Sequence, residues 1–242
     1  MNEYGMRYHY TNASALLNIL KTKRFRLTHC KDLNDSTEGK FLLEKLRKDI
    51  NNHSEIFRIM TDNIFIGCFC ASGNFPVKMK SYGKVNIGFD FEAMQEDLRF
   101  TTDANGKCHN TSGISFGNCC YTDCEDENYT NVINYVTDKL SNIDFNSLSS
   151  QQFAYLSCFQ CFFLKPIKYK DENESRIVSY LWRRKPLYDS KTCKHYIEFH
   201  FTPDKVRSIT IGPSCKENDR MSIEEFLDNS SDYKHVFITN CG

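Results

Sequence analysis

The sequence predicts a single α+β domain over residues 1–242, and three observations favour this fold class. A chain of 242 residues is long enough to form one domain with a well-buried core. Most segments with helical periodicity fall in the first two-thirds of the chain and most strand-like segments in the last third. This distribution is typical of α+β folds and not of alternating βαβ units. No internal repeat and no linker-like stretch divides the chain.

The first part of the chain is predicted to begin with an amphipathic helix at residues 12–20. Leu16 and Leu20 recur at the spacing of one helical face, and Asn12 or Ser14 can cap the first turn. Strand formers bounded by turn residues indicate buried strands further along. The other elements predicted here are a strand at 25–28, a loop at 31–36, a helix at 38–50 and strands at 63–70 and 85–91.

The rest of the chain is predicted to pass from helices to strands. Residues 101–118 are rich in Gly, Asn, Thr and Ser, so this segment is predicted to be a mobile insertion. A short final helix is predicted at 222–227, where Ser222 and Glu225 have the spacing of a capping box. The other predicted elements are helices at 128–140 and 149–164 and strands at 174–181, 195–201, 206–211 and 235–239.

The overall charge of the chain is balanced, with 31 Lys and Arg residues against 31 Asp and Glu residues. This balance removes the usual footprint of a protein that binds nucleic acid through its total charge, although a local basic cleft fits within a neutral total. Residues 1–20 lack the basic and apolar regions of a secretion signal. The longest apolar run, at 159–164, is too short to span a bilayer. We therefore expect a cytoplasmic protein with no membrane partner.

Twelve cysteines are scattered along the chain. In a reducing compartment we expect free thiols, because disulfides are rare there. Cys158 and Cys161 have the C-x-x-C spacing of a zinc ligand pair, and a second group of cysteines lies within 108–124. The C-x-x-C pair falls in a Phe-rich segment without the turn-forming Gly or Pro of a zinc knuckle. The sequence therefore favours no bound metal.

Four motifs occur in order over residues 4–215. They are Tyr-His-Tyr-Thr at 8–11 with Asn34 and Asp35 downstream, Gly-Cys-Phe-Cys at 67–70 followed by Ser81 and Tyr82, Leu164 and Lys165 followed by Glu-Asn-Glu-Ser-Arg at 172–176, and Ile-Thr-Ile-Gly at 209–212. Together they resemble a widespread bacterial family that carries no assigned function. The shared order supports the resemblance more than any one short motif does.

The same order of motifs is similar to that of ADP-ribosyltransferases, and the first motif is similar to the DNA-modifying toxin branch of that superfamily. The resemblance implies a split, mostly antiparallel sheet flanked by helices. It also implies that NAD is consumed as a substrate to modify a macromolecule, either nucleic acid or protein. Such an enzyme would act as a bacterial toxin or a phage-defence effector, and a toxin would have a partner protein.

The resemblance also implies catalytic roles for two carboxylates. Glu174 would bind the nicotinamide-ribose hydroxyl and stabilise the positive charge that develops on the ribose. Glu172 would lie on the same face of a strand, two residues earlier, and would orient or deprotonate the acceptor. The pattern Glu-x-Glu-x-Arg is equally typical of a charged edge strand with an internal salt bridge.

Four further residues are implied to bind NAD. His9, with Thr11 on the same strand, would contact the adenosine ribose, and Tyr82 would stack on the nicotinamide ring. Arg176 would bind the pyrophosphate or pair with Glu174. From the residues alone, His9 is also typical of a partly buried histidine among aromatic side chains, and Tyr82 of ordinary packing in a turn.

Two other functions remain open from the sequence. The first is a non-catalytic module that binds a nucleotide or a protein partner on the same fold, because fold analogy does not establish activity. The second is a nuclease, in which acidic residues and a lysine converge on a divalent metal. The candidates for the second are Lys165, Asp171, Glu172 and Glu174.

Overall fold

The computed structural model describes residues 5–33, 62–72, 79, 83–97, 100–102, 108–110, 113–122, 127–141, 147, 159–181 and 185–240. Within them the helices are α1 (Ala13–Thr22), α2 (Phe91–Asp97), α3 (Glu127–Ser141) and α4 (Glu217–Asn229). The first seven strands are β1 (Met6–Thr11), β2 (Arg24–His29), β3 (Ile64–Cys70), β4 (Val85–Asp90), β5 (Phe100–Thr102), β6 (Cys108–Asn110) and β7 (Ile114–Asn118). The others are β8 (Cys120–Thr122), β9 (Leu164–Pro166), β10 (Glu174–Tyr180), β11 (Leu187–Asp189), β12 (Lys194–His200), β13 (Val206–Ile211) and β14 (Phe237–Asn240).

Most of the strands join one large sheet, whose main path runs in the order β14, β13, β4, β1, β3, β2, β12, β5 and β6. Its neighbouring strands are antiparallel except for β13 and β14, which are parallel. The strands β8 and β9 form a separate parallel pair. A large, mostly antiparallel sheet with few helices confirms the predicted α+β class. None of the helices in the described residues has the length and apolar character needed to span a bilayer.

The sheet divides at β3. One edge of β3 pairs with β10 from Glu174 opposite Cys70 to Tyr180 opposite Ile64, and β7 lies beyond β10. The opposite edge is shared, because β1 pairs with it only at Cys70 and β2 only at Ile66 and its neighbour Phe65. The strands β1 and β2 therefore diverge from each other along β3, and the divergence separates two halves of the sheet.

The helix α1 forms and packs as its sequence predicts. Asn12 is its N-cap, and the Asn12 side chain accepts a hydrogen bond of 2.8 Å from the backbone N–H of Ala15. Leu16 and Leu20 are completely buried, since they recur on the face that turns toward the sheet. The helix packs beside α4, which covers the same half of the sheet. This packing fixes the positions of the end of β1, which precedes the helix, and of the start of β2, which follows it.

Aromatic rings fill the core between the divided strands. Phe25 of β2 and Phe69 of β3 stack with their ring centroids 5.0 Å apart. Phe89 of β4 packs edge-on against Phe25 at 5.9 Å, and Phe91 packs edge-on against Phe69 at 5.2 Å. Such ring pairs stabilise beyond the burial of their area, by about 0.5–1.5 kcal/mol each. The core therefore holds the two halves of the sheet in one relative position.

Gly67 lies at the centre of this packing, so we expect Gly67→Ala to destabilise the protein. A Cβ atom at this position would come within 2.5 Å of Leu27 Cδ2 and 3.0 Å of Phe25 Cε1. Both neighbours are fully buried and have little room to move, so the overpacking should cost about 1–3 kcal/mol. The measurement is the free energy of unfolding in urea, with Gly5→Ala as control, because its nearest atom would be 3.8 Å away. Equal stability of the two variants would contradict the prediction.

Two predicted helices differ in the structure, and a third predicted segment joins the sheet. In the described part of 149–164, Phe159–Phe163 form a 3₁₀ helix and β9 begins at Leu164, because this continuous apolar run has no helical period. The helix α4 begins at Glu217, and Ser222 lies within it, donating from Oγ to the Asn218 carbonyl instead of capping.

In the predicted insertion 101–118, residues Ile114–Asn118 form β7 and pair with β10. The mobility of this segment stays a prediction.

Candidate functional site

A cavity of about 260 Å³ lies where β1 and β2 diverge from β3. Residues 8–10 of β1, Arg26 and Thr28 of β2, and residues 66–70 of β3 line it. The remaining lining residues are Leu33, Lys165, Glu172, Glu174 and Lys194. The volume is close to the lower end of the range for small-molecule sites, about 300–1,000 Å³. The cavity therefore combines an opening in the sheet with a group of charged side chains at one end.

Strand register explains why two of the charged side chains face this region. In β10, Glu174 lies opposite Cys70 and Arg176 lies opposite Cys68, both of which line the cavity. Side chains alternate across a strand, so residues two apart project from the same face. The intervening Ser175 projects to the other face, where it accepts a hydrogen bond from Arg7 Nε at 2.7 Å. The pattern Glu-x-Arg thus directs both charges toward one side of the sheet.

A buried cluster of ion pairs is formed around Glu174. Arg176 donates from Nε to Glu174 Oε1 at 2.7 Å and from a terminal nitrogen to Oε2 at 3.3 Å. The Lys165 ammonium contacts Glu174 Oε2 at 2.5 Å and also pairs with Glu172. The other terminal nitrogen of Arg176 donates to the Phe162 carbonyl at 2.6 Å. Buried charges persist only when they are paired and hydrogen-bonded, and this cluster meets that requirement.

The charge state of Glu174 is set by its neighbours. Burial alone would raise the pKa of this carboxyl, but the charges of Arg176 and Lys165 and their hydrogen bonds lower the pKa to about 2. Glu174 is therefore an ionised carboxylate at any physiological pH. Its backbone N–H also donates to Tyr121 Oη at 2.6 Å, which fixes the start of β10. The result is a rigid negative charge at the end of the cavity.

Glu172 reaches the cluster by a different route from the predicted one. The strand β10 begins at Glu174, so strand alternation does not place Glu172 on its face. Glu172 is instead the last residue of the 3₁₀ helix Ile167–Glu172. Asn173, which lies between Glu172 and Glu174, has a left-handed backbone with φ of 43°. The two carboxylates converge because Lys165 contacts both. The Glu172 side chain is 21% exposed and that of Glu174 is 5% exposed, so Glu172 is the more open to a ligand.

His9 is packed among aromatic rings on the wall of the cavity. Its Nδ1 lies 3.0 Å from the Cys68 carbonyl oxygen, and its ring lies 4.9 Å from that of Phe25 and 5.7 Å from that of Phe69. Burial lowers the pKa of His9, although the hydrogen bond to Cys68 acts in the opposite direction. A neutral ring that donates from Nδ1 fits these contacts. The structure therefore shows the alternative of a partly buried histidine among aromatic side chains, and binding of ribose by His9 stays a prediction.

We expect this burial of His9 to make the fold sensitive to mild acid. Below an unfolded pKa of about 6.5, the unfolded chain takes up a proton that folded His9 resists, so the free energy of unfolding falls as pH falls. The slope is at most about 1.4 kcal/mol per pH unit for one histidine. Urea unfolding at pH 7.5 and 5.5 should show a smaller loss in His9→Gln, whose amide still donates. His29 and His200, whose pKa values burial also lowers, contribute to the loss that remains. An identical loss in both proteins would contradict the prediction.

The other residues predicted to bind NAD have different surroundings. Thr11 is buried at the end of β1 and does not line the cavity. Tyr82 and the predicted loop at Asn34 and Asp35 lie outside the described residues, as does the predicted helix at 38–50. For Arg176 the sequence left two roles open, and the structure shows the pair with Glu174, with none of the arginine side chain exposed. Direct contact of these residues with NAD stays a prediction.

Lys165 and Arg26 contribute to the site in ways that the sequence does not predict. Lys165 has a predicted role only in the metal-dependent alternative, yet its ammonium joins both carboxylates. The available signal was a lysine at the end of a continuous apolar run, because such a lysine must find a buried partner. Arg26 lies over the Tyr196 ring at 4.1 Å and pairs with Glu198 at 3.0 Å. No spacing in the sequence indicates that β2 and β12 bring these residues together.

The cysteines whose side chains the structure describes are free thiols, namely Cys30, Cys68, Cys70, Cys119, Cys120, Cys161, Cys193 and Cys215. Burial raises the pKa of the Cys161 thiol far above its usual range, so this residue behaves as a small apolar side chain. Cys158, which forms the C-x-x-C pair with Cys161, lies outside the described residues. Cys124, the last cysteine of the group within 108–124, also lies outside them. Among the residues that are described, no three His, Cys, Asp or Glu side chains converge in a way that could hold a metal ion.

Comparison of the chain with protein-family models finds no family that matches, and comparison with curated proteins finds no match. The resemblance carried by the four sequence motifs therefore stays a prediction. The features of this protein that bear on its function are the cavity, the paired carboxylates and the side chains around them.

Proposed function

We propose that this protein is an ADP-ribosyltransferase-like enzyme that uses NAD to modify a macromolecule. The observation that carries the proposal is the position of Glu172 and Glu174. The two carboxylates converge on one lysine at the end of a cavity, and that cavity lies where the sheet divides. A divided sheet and a paired Glu-x-Glu are the two features that the motif resemblance implied.

The chemistry of the proposed reaction suits these carboxylates. The bond between ribose C1′ and the nicotinamide nitrogen breaks, the electron pair leaves with nicotinamide, and positive charge develops on the ribose. A carboxylate already ionised and held in place stabilises that charge without reorganisation. Glu174, with its pKa lowered to about 2, supplies this charge. Glu172, the more exposed carboxylate, takes the proton of the acceptor group as its new bond to C1′ forms.

The two sides of the cavity suggest where each reactant binds. The nicotinamide ribose would lie in the cavity, beside Glu174 and the His9 wall. The acceptor would approach over the β2 side, where Arg26 and Lys194 line the cavity. A macromolecular acceptor, nucleic acid or protein, fits this open and charged side. Modification of such an acceptor would give the protein the role of a toxin or phage-defence effector.

The proposal is tested by incubating the purified protein with NAD that carries a label on its adenosine. The incubations contain protein alone, protein with DNA or RNA, and protein with cell lysate. Release of nicotinamide together with transfer of label to one fraction supports the proposal and identifies the class of acceptor. Activity that is lost on addition of EDTA would instead support a metal-dependent reaction.

A non-catalytic binding module is the second candidate, and one observation favours it. Both oxygens of Glu174 are already engaged by Arg176 and Lys165, which is typical of a structural ion pair. NAD that raises the melting temperature without any release of nicotinamide would support this candidate. No release and no shift in melting temperature would contradict NAD as the ligand.

A further inference from the structure

We propose that Lys165 is a positioning residue that holds the carboxylates of Glu172 and Glu174 together at the end of the cavity, so that one acts as a charge and the other as a base. This inference deepens the proposed function and rests on it for its catalytic meaning. Its physical content concerns the carboxylates themselves, and it can be measured whether or not the protein consumes NAD.

The geometry of Lys165 supports this role. Its ammonium contacts the Oε2 atoms of both carboxylates, so these two oxygens are brought close to each other by one cation. Lys165 is 3% exposed, and its strand β9 pairs with β8 and not with the strand that carries Glu174. The lysine therefore joins two separate parts of the fold at the cavity. An arrangement needed only to neutralise Glu174 would be complete with Arg176.

Two carboxylates so close together repel each other, and a cation between them offsets that repulsion. Like charges in one site raise the pKa of one partner, and the pair then shares a proton. Arg176 lies on the Glu174 side and donates to both of its oxygens. Glu172 receives its ion pair from Lys165. Lys165→Met therefore removes the cation that the two carboxylates share, whereas Arg176 still pairs with Glu174.

Other titratable groups also face the cluster. The Tyr169 ring lies 5.2 Å from the Lys165 ammonium, and Tyr121 accepts from the Glu174 backbone. Burial raises the pKa of Tyr121, so this phenol stays neutral near pH 7. The remaining groups near the Glu174–Arg176 pair are the thiols of Cys68 and Cys119. Neither tyrosine nor thiol supplies a positive charge. The other cations that line the cavity are Arg26, which pairs with Asp189 and Glu198, and Lys194 at the start of β12.

The first test measures carboxylate titration directly in the whole 242-residue chain. Glutamate labelled with ¹³C at the side-chain carboxyl is followed by NMR from pH 3 to 8 in the natural protein, Lys165→Met and Lys165→Arg. We expect one carboxyl in Lys165→Met to titrate at least about one pH unit higher than in the natural protein. Lys165→Arg should reverse most of this shift. Unchanged titration in Lys165→Met, with its fold retained, would overturn the inference.

The second test links the same change to turnover. The acid limb of the pH profile of nicotinamide release should move about one unit to higher pH in Lys165→Met, so kcat at a pH on the acid limb of both proteins falls about tenfold while the KM for NAD is little changed. Lys205→Met is the matched control, because Lys205 is also largely buried and paired with Asp204 but does not line the cavity. An NMR shift without any turnover would retain the positioning role and reject the proposed function. Turnover with an unmoved acid limb would overturn the catalytic part of the inference.

Discussion

Glu174→Gln is expected to lower nicotinamide release from NAD by about 100-fold or more at neutral pH. The amide keeps the size of the side chain and can still accept from Arg176, but it carries no charge to stabilise the developing positive ribose. Loss of one preorganised electrostatic group in an active site costs about 10²–10³ in kcat. The measurement is kcat and KM for NAD in the natural protein and the variant. The loss should appear in kcat, because the charge acts on the transition state.

Glu198→Gln is the matched control for this prediction. Glu198 is 6% exposed and accepts from Arg24 at 2.9 Å and Arg26 at 3.0 Å, so it too is a buried carboxylate between two cations. It does not line the cavity, and because its partner Arg26 lies on the side proposed for the acceptor, both variants are compared on NAD without an acceptor. We expect its release rate to stay within a few-fold of the natural value. Similar losses in the two variants would show that any broken ion pair impairs the protein, and the catalytic role of Glu174 would then be rejected.

The sequence predicts those parts of the fold that local pattern controls. The helix from Asn12 and the strands at β2, β3, β10 and β13 have clear periodicity or strand formers between turn residues, and the structure places them where the pattern does. The short strands β8 and β9 were not predicted. They pair over more than forty residues of chain, from Cys120 opposite Leu164 onward. A local pattern carries no information on a partner so distant.

In the candidate site too, the sequence predicts what depends on neighbouring residues and does not predict what depends on pairing between distant segments. The face shared by Glu174 and Arg176 follows from alternation within one strand, and the sequence gives it correctly. The approach of Lys165 depends on the parallel pairing of β9 with β8, and that of Glu172 on a left-handed Asn173. Asparagine tolerates this conformation but does not require it. The division of the sheet at β3 also arises from pairing, so the sequence could indicate it only through resemblance.

Arg176→Met is expected to be the most destabilising single substitution in the site. Arg176 is fully buried, and its removal leaves Glu174 with one cation fewer and the Phe162 carbonyl without the 2.6 Å hydrogen bond that it accepts. Breaking a buried ion pair from one side costs about 3–5 kcal/mol. For a chain of this length that loss corresponds to a fall in melting temperature of about 10 °C. Arg207→Met is the control, because the Arg207–Asp90 pair is partly exposed and should contribute at most about 1 kcal/mol.

The double variant Glu174→Gln with Arg176→Met decides whether this loss belongs to the pair or to the arginine alone. The cost of Arg176→Met contains the penalty for a buried charge without its main partner, and neutralising Glu174 removes that penalty. We therefore expect the double variant to be more stable than the sum of the two single losses, by about 1–3 kcal/mol in a double-mutant cycle of urea unfolding. Additive losses would show that Arg176 stabilises the fold through packing and the Phe162 bond. Glu174 would then owe its ionised state to Lys165 alone.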